Sequence, residues 1–442
     1  MKRIVLFIGN SFTSVIFATY TILFGAQVGW NDIKLNSEQL WNSTVKEYLQ
    51  KELWNGNEAY IAGNSLMVPM HIAFQEHKKE WITDFHFHFS NLSKNGLDSL
   101  SINEERLNTL QYYYLISRFL YLSLTNQVSF TYEEKLTNHL IKEMKKIWIN
   151  SPAWMWDMEN FTGVKDRVLW KLKSIAVKKS YYRAITDEEL FIFSISADLK
   201  SILSLQGKRD PIIDDIVSVG YTTYVNESTF TSTGKWIFQP GVYKDHPDYK
   251  YAGTDFIFNE ELSFHVNNIG KDTSHSHRFP LWIISLKNCF PNKSKQSLFL
   301  QKILTGLESQ FYEEVLVLPK DSNYLIPLTK NYMDGTNGIY RYNYPSLNHG
   351  DGYYPFELSG TFTLGWWSFL GTNRIRQVYR DLSLEFPLHH RELDVILKEP
   401  TDKKRVNLKS IASGELAFKN GYRQLICYLA SKNISNNGTQ IE

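Results

Sequence analysis

NEERLNTLQYYYLISRFLYLSLT, residues 103–125, and YEEKLTNHLIKEMKKIWI, residues 132–149, decide the fold class. Each carries acidic residues in its first turn and apolar residues recurring at three and four positions, the period of a helix that buries one side. The short polar connection between them predicts an antiparallel helical hairpin. Working outward, Thr186-Asp187-Glu188-Glu189 reads as a capping box opening a helix over 188–206, and Asp210-Pro211 starts the next, over 210–225. Further helices are expected at 297–316, from about Glu357 through Leu384, and near 409–431. Period-2 alternation is scarce from residue 37 onward, so the fold is expected to be mainly α, with a minor β element near 315–345 at VLVLP and GIYRYNY. Successive hairpins over some 400 residues stack as a solenoid or close into an (α/α) toroid, a barrel of antiparallel helical hairpins. Without a repeat of fixed period the toroid is the expectation, with long aromatic loops at one rim.

Composition limits the function classes. The 442 residues carry a formal net charge of +2 with no basic stripe, which argues against a nucleic-acid partner. Aromatic residues make up 15% of the chain, and many lie in polar, glycine-containing segments, where flat rings stack on sugars or other ring-shaped ligands. Cys289 and Cys427 both sit in apolar surroundings and read as buried free thiols, with a single disulfide between them as the alternative.

The amino terminus has Lys2 and Arg3, then no charge until Asp32, the layout of a signal peptide or membrane anchor. Residues 1–26 are therefore expected to direct export, to the periplasm, the cell surface or the medium, and membrane contact is expected only through this segment if uncleaved. Polar residues interrupt the run, so a buried first helix is the alternative. No linker or charge run divides 27–442, which is expected to be one domain.

Three polar, aromatic loops in the second half are expected to form one rim: TGKWIFQPGVYKDHPDYKYAGTD (233–255), KDTSHSHRFP (271–280) and RYNYPSLNHGDGYYPFELSGT (341–361), the last extended upstream by DGTNGIY (334–340). Long loops in compact domains usually serve a site. Asn64 and His71 are expected to add to it from an earlier helix start. Asp272, His275 and His277 offer zinc-ligand types. No HExxH pattern supports a metal, Asp272 also reads as a helix cap, and no cofactor is expected. Nor is there a GxSxG elbow, a GxxxxGK[ST] loop or a GxGxxG motif.

Chemistry by His, Tyr, Arg and carboxylates remains, and carbohydrate reactions draw on that set. In β-elimination or epimerisation at a uronate, His or Tyr removes the C5 proton while Arg, Asn or His neutralises the sugar carboxylate. His275, His349, Tyr353, Arg278 and Asn348 are the catalytic candidates, and Trp236, Tyr243, Asp245, His246, Asp272, Arg341, Asp351 and Glu357 the substrate-binding ones. Glycoside hydrolysis would instead need two carboxylates at a set separation, with Asp334 and Asp248 as further candidates. A third reading keeps the rim aromatics for non-catalytic glycan binding. The Asn348-His349 pair, RYNY and GYYPFE, on a frame of helical hairpins, resemble the (α/α)-toroid carbohydrate-active enzymes, of the polysaccharide lyase and uronyl epimerase type. The resemblance lies in architecture and loop style. It implies a polysaccharide or oligosaccharide partner and joint use of Asn348, His349, Tyr353 and Arg278. The β-sandwich that often follows such a toroid is missing.

Overall fold

Helix α4, Arg106–Thr125, is buried on every side from Thr109 to Leu120, whereas its hairpin partner α5, Glu133–Ile149, buries one stripe: Leu136, Leu140, Met144 and Ile147. A helix apolar all round belongs inside, and one with a single apolar stripe belongs at the surface. The computed structural model, which describes residues 36–100, 106–155, 160–174, 176–254, 268–342, 352–398 and 410–434, follows this rule through the chain. The chain divides between residues 39 and 40, and all that follows concerns the unit from Leu40 onward.

The earlier helices are α1 (Gly56–Ser65), α2 (Met67–Gln75) and α3 (Lys79–Asn95). After α5 come α6 (Val164–Lys173), α7 (Asp187–Leu205) and α8 (Pro211–Asn226). The last are α9 (Phe279–Asn288), α10 (Lys295–Gln310), α11 (Asn373–Leu384) and α12 (Tyr422–Lys432). Helix α7 begins with the anticipated capping box at Thr186 and Glu189, and Asp210 caps α8 by accepting from the Ile212 and Ile213 amides. Helix α1 packs on α4, α4 on α7, and α7 on α9, while α5, α8 and α10 back α4, α7 and α9; at the end of the chain α12 packs on α11 and on α2. The fold is mainly helical. Two small antiparallel pairs, β1 (Thr229–Phe230) with β2 (Trp236–Ile237) and β3 (Leu316–Val317) with β4 (Leu328–Thr329), are the strands among the described residues.

Two expected helices are broken. The segment from Glu357 to Leu384 forms 3-10 turns at Ser359–Leu364 and Trp366–Leu370 before α11, because Gly365 and Gly371 take φ of 81° and 71°, a left-handed conformation that ends a helix. Near the carboxyl terminus Gly421, at φ 84°, separates the short helix Gly414–Lys419 from α12. Trp366 and Trp367 are core residues, each 1% exposed. The cysteines are both free; Cys427 is buried, but Cys289 is only half-buried. No described helix is long and apolar enough to cross a membrane.

The described parts of the three aromatic loops fold as one piece. Val242 bridges Ile269, Asp272 bridges Tyr332, and Tyr340 bridges Tyr353, while the Ile339 amide donates to the Tyr251 carbonyl at 3.0 Å. Their apolar residues form a second small core of Val242, Ala252, Ile269, Tyr332, Tyr340, Tyr353 and Leu358. Gly338 is required there, because a Cβ at that position would overlap the Ala252 carbonyl.

Candidate functional site

The loop core sets Asp272 at the entrance of a single helical turn, Thr273–Ser276, whose first residues are fixed by that carboxylate. Asp272 Oδ1 accepts the His275 amide at 3.1 Å, the Ser274 hydroxyl, and the His275 ring at Nδ1, 2.7 Å away. Capping and ring orientation are thus one interaction. With Nδ1 committed as donor, the neutral imidazole keeps its lone pair on Nε2. His275 is 24% exposed at its side chain, and Nε2 makes no hydrogen bond among the described residues.

Below His275 lies a buried carboxylate, Asp187, the first residue of α7. Arg278 Nη1 donates to its Oδ2 at 2.7 Å and Lys271 Nζ lies 2.9 Å from Oδ1. Arg278 Nη2 also faces Tyr60 Oη at 3.3 Å, Asn64 Oδ1 at 3.4 Å and Gln111 Oε1 at 3.2 Å. The cluster thus joins α1, α4, the start of α7 and the loop before α9. Burial alone would raise the Asp187 carboxyl, but the charges of Lys271, His275 and Arg278 outweigh it and hold the group down at about 2. Burial likewise opposes ionisation of Asp272, and is outweighed by the charge and hydrogen bond of His275, the Ser274 hydroxyl and Lys271, so that carboxyl also lies well below its ordinary range.

Both carboxyls are depressed in the folded state, so their contribution is present above the unfolded range near 4 and is lost as pH falls through the folded values. We expect stability to fall between about pH 4 and pH 2, with Asp187 alone accounting for roughly 2 kcal/mol. Urea unfolding at a series of pH values checks this; a stability flat across that window contradicts the pairing.

An aromatic layer closes the interior beneath. The Arg278 guanidinium lies 5.7 Å from the Phe191 ring, Phe191 packs edge-on against Trp282 at 4.9 Å, and Tyr114 lies between Phe191 and Trp366. His277 is buried here, 5.5 Å from Trp366, and burial pushes its imidazole well below the ordinary value, with the charges of Arg278 and His275 adding to the effect. Asp272, His275 and His277 therefore do not converge, and no group of three or more His, Cys, Asp or Glu among the described residues is placed to hold a metal. Deeper still, Arg118 Nη1 meets Asp198 Oδ1 at 2.8 Å, with Ser117 on Oδ2 at 2.9 Å, and Arg118 Nε faces His71 Nε2 at 3.4 Å.

Of the sequence candidates, Asp272, His275 and Arg278 come together. Tyr353 is fully buried and lies behind Tyr340, whose hydroxyl is the one 3.5 Å from His275 Nδ1. Trp236 is a core residue, not a ligand-facing one: its ring packs on Phe238 and Phe279 and its indole N–H donates to Ser228 Oγ at 2.7 Å. Glu357 is buried as a brace, accepting the Tyr354 amide at 2.8 Å and pairing with Lys398 at 2.8 Å. Asp245 is exposed and accepts the Ser180 amide at 2.6 Å, and His246 meets the Tyr181 ring edge at 4.9 Å. Half-buried Tyr243 has its phenol pushed up by burial first and the nearby Glu227 charge second. Arg341 places its guanidinium 4.9 Å from the Tyr340 ring. Asn348, His349 and Asp351 lie outside the described residues, as does the 1–26 segment.

Asp187, Lys271, Tyr60 and Gln111 were not expected in the site. Gln111 did leave a signal, as an uncharged polar residue inside a stretch otherwise dense in aromatic and aliphatic residues, QYYYLI. Asp187 was legible only as part of a helix start. Comparisons of the chain with models of protein families, with curated proteins and with solved structures find no match in any of the three.

Proposed function

We propose that the chain is an exported glycan-processing enzyme built on an (α/α) toroid, and that His275 removes the C5 proton of a uronate in a polysaccharide, leading to β-elimination or epimerisation. The observation that carries this reading is the Asp272–His275 pair, with its 2.7 Å hydrogen bond at Nδ1 and its partly exposed ring. The Nδ1–H···Oδ1 bond holds the tautomer and stabilises the imidazolium that forms when Nε2 takes the proton. Lys271 and Arg278 supply positive charge where the carboxylate of the substrate becomes enolate-like. In elimination the C5–H bond breaks to His275, the C4–O bond breaks, a C4=C5 double bond forms, and the leaving oxygen takes a proton from a hydroxyl. Tyr340, whose phenol lies 3.5 Å from His275 Nδ1, is the loop-core candidate, because the nearer Ser274 hydroxyl is spent on Asp272. The order of helices supports the toroid: α1, α4, α7 and α9 follow side by side and α12 returns to α2. Lys2, Arg3 and the uncharged run after them support export.

One observation weighs against Asp187 or Asp272 as the acid of a hydrolase. A glycosidase needs a carboxyl group that keeps its proton at working pH, and Asp187 and Asp272 are both held in the opposite sense. The test is a screen of purified protein against uronate-containing and neutral polysaccharides, following ultraviolet absorbance and reducing ends together. The expected result is absorbance from the new conjugated double bond on a uronate polymer. Reducing ends without absorbance, on any polymer, would assign the carboxylates to hydrolysis instead.

A further inference from the structure

Arg278 is 2% exposed, and a buried guanidinium normally spends all its N–H groups. Here Nη1 is taken by Asp187, but the other edge is poorly used. Nη2 is shared among three neutral oxygens, none nearer than the 3.2 Å of Gln111 Oε1, and Nε has no acceptor among the described residues. Gln111, also 2% exposed, turns its oxygen to Arg278, which leaves its own amide nitrogen, Nε2, without an acceptor beside the same edge. Reversing the amide would set N–H against N–H, so Arg278 fixes this orientation. Each unmet buried donor costs about 1–3 kcal/mol, and two on adjoining side chains mark a place built for an acceptor.

We infer that the Nε–Nη2 edge of Arg278 and the Nε2 amide of Gln111 together form the seat of a substrate carboxylate. The fork of that edge matches a planar carboxylate with two parallel hydrogen bonds, and the amide adds a third. Asp187 holds the guanidinium by its far nitrogen and so aims the open edge. Tyr60 is half-exposed, with its hydroxyl 3.3 Å from Nη2 and its ring centre 5.9 Å from the guanidinium carbon, and in this inference its ring turns aside to admit the carboxylate. The seat rests on the proposed function, which supplies the uronate and already places the Arg278 charge at its carboxylate; the open edge and Gln111 are what the unmet buried donors add.

The test titrates the full chain calorimetrically with glucuronic acid, its methyl ester, and inorganic sulfate, which separates binding from turnover. Glucuronate is expected to bind at least about tenfold more tightly than the uncharged ester, the scale of a hydrogen bond to a charged group. Gln111→Leu, which keeps volume but removes the donor, is expected to weaken glucuronate by about tenfold. Gln111→Glu, which fills the seat with a carboxylate of its own, is expected to abolish binding; melting curves establish that each variant folds. Ester binding as tight as the acid, sulfate binding tighter than glucuronate, no binding of glucuronate, or a folded Gln111→Leu with unchanged affinity would each overturn the seat. Binding as expected without any turnover would retire the proposed reaction while leaving the seat in place.

Discussion

His275→Ala is expected to lower turnover of a uronate polymer by about 10²- to 10⁴-fold, the range that a positioned general base contributes. The fold should not suffer comparably, because the ring is partly exposed and its interactions are local to one helical turn. Asp272→Asn makes a sharper companion. An amide in place of the carboxylate can still accept from the His275 backbone at the cap, but it stabilises the imidazolium less and permits the wrong tautomer. Turnover should therefore drop strongly in Asp272→Asn while circular dichroism stays that of the parent. Steady-state rates of both variants check this, and a His275→Ala protein with full turnover removes the residue from the reaction.

Asp198→Ala is expected to destabilise the protein by about 3–5 kcal/mol, the cost of leaving one member of a buried ion pair without its partner. Arg118 and Asp198 are 3% and 1% exposed at their side chains, and their hydrogen bonds also engage Ser117 and Ser285. The network ties α4, α7 and α9 at a fixed register through groups that nothing apolar can satisfy. Replacing the pair together, as Arg118→Met with Asp198→Leu, should recover much of the loss, since two apolar side chains leave no stranded charge. Urea unfolding of the single and double variants gives the comparison. A single variant within about 1 kcal/mol of the parent would mean that the pair carries little of the fold's stability.

The frame of the molecule was legible because its signals are local. Apolar period, the capping box at Thr186 and the Asp210-Pro211 start each specify a helix within a few residues, and all three helices are present. Gly365, Gly371 and Gly421 broke the later helices where the apolar pattern ran on, because a periodic pattern reports burial and not φ. The site divided in the same way. Asp272, His275 and Arg278 are within seven positions of each other, so one loop announced them. Asp187, Tyr60 and Gln111 reach the same place from three separate helices, and only packing brings them there. Trp236 misled for the converse reason: a tryptophan in a polar, glycine-flanked loop reads as a binding ring until tertiary structure folds it under Phe279.

The most direct test of the central claim is proton abstraction itself. A uronate polysaccharide incubated with the protein in heavy water and followed by proton NMR reports the C5 position whether the outcome is elimination or epimerisation. The account predicts loss of the C5–H signal, through double-bond formation or exchange for deuterium, and its persistence with His275→Ala. New reducing ends with C5–H intact would contradict it.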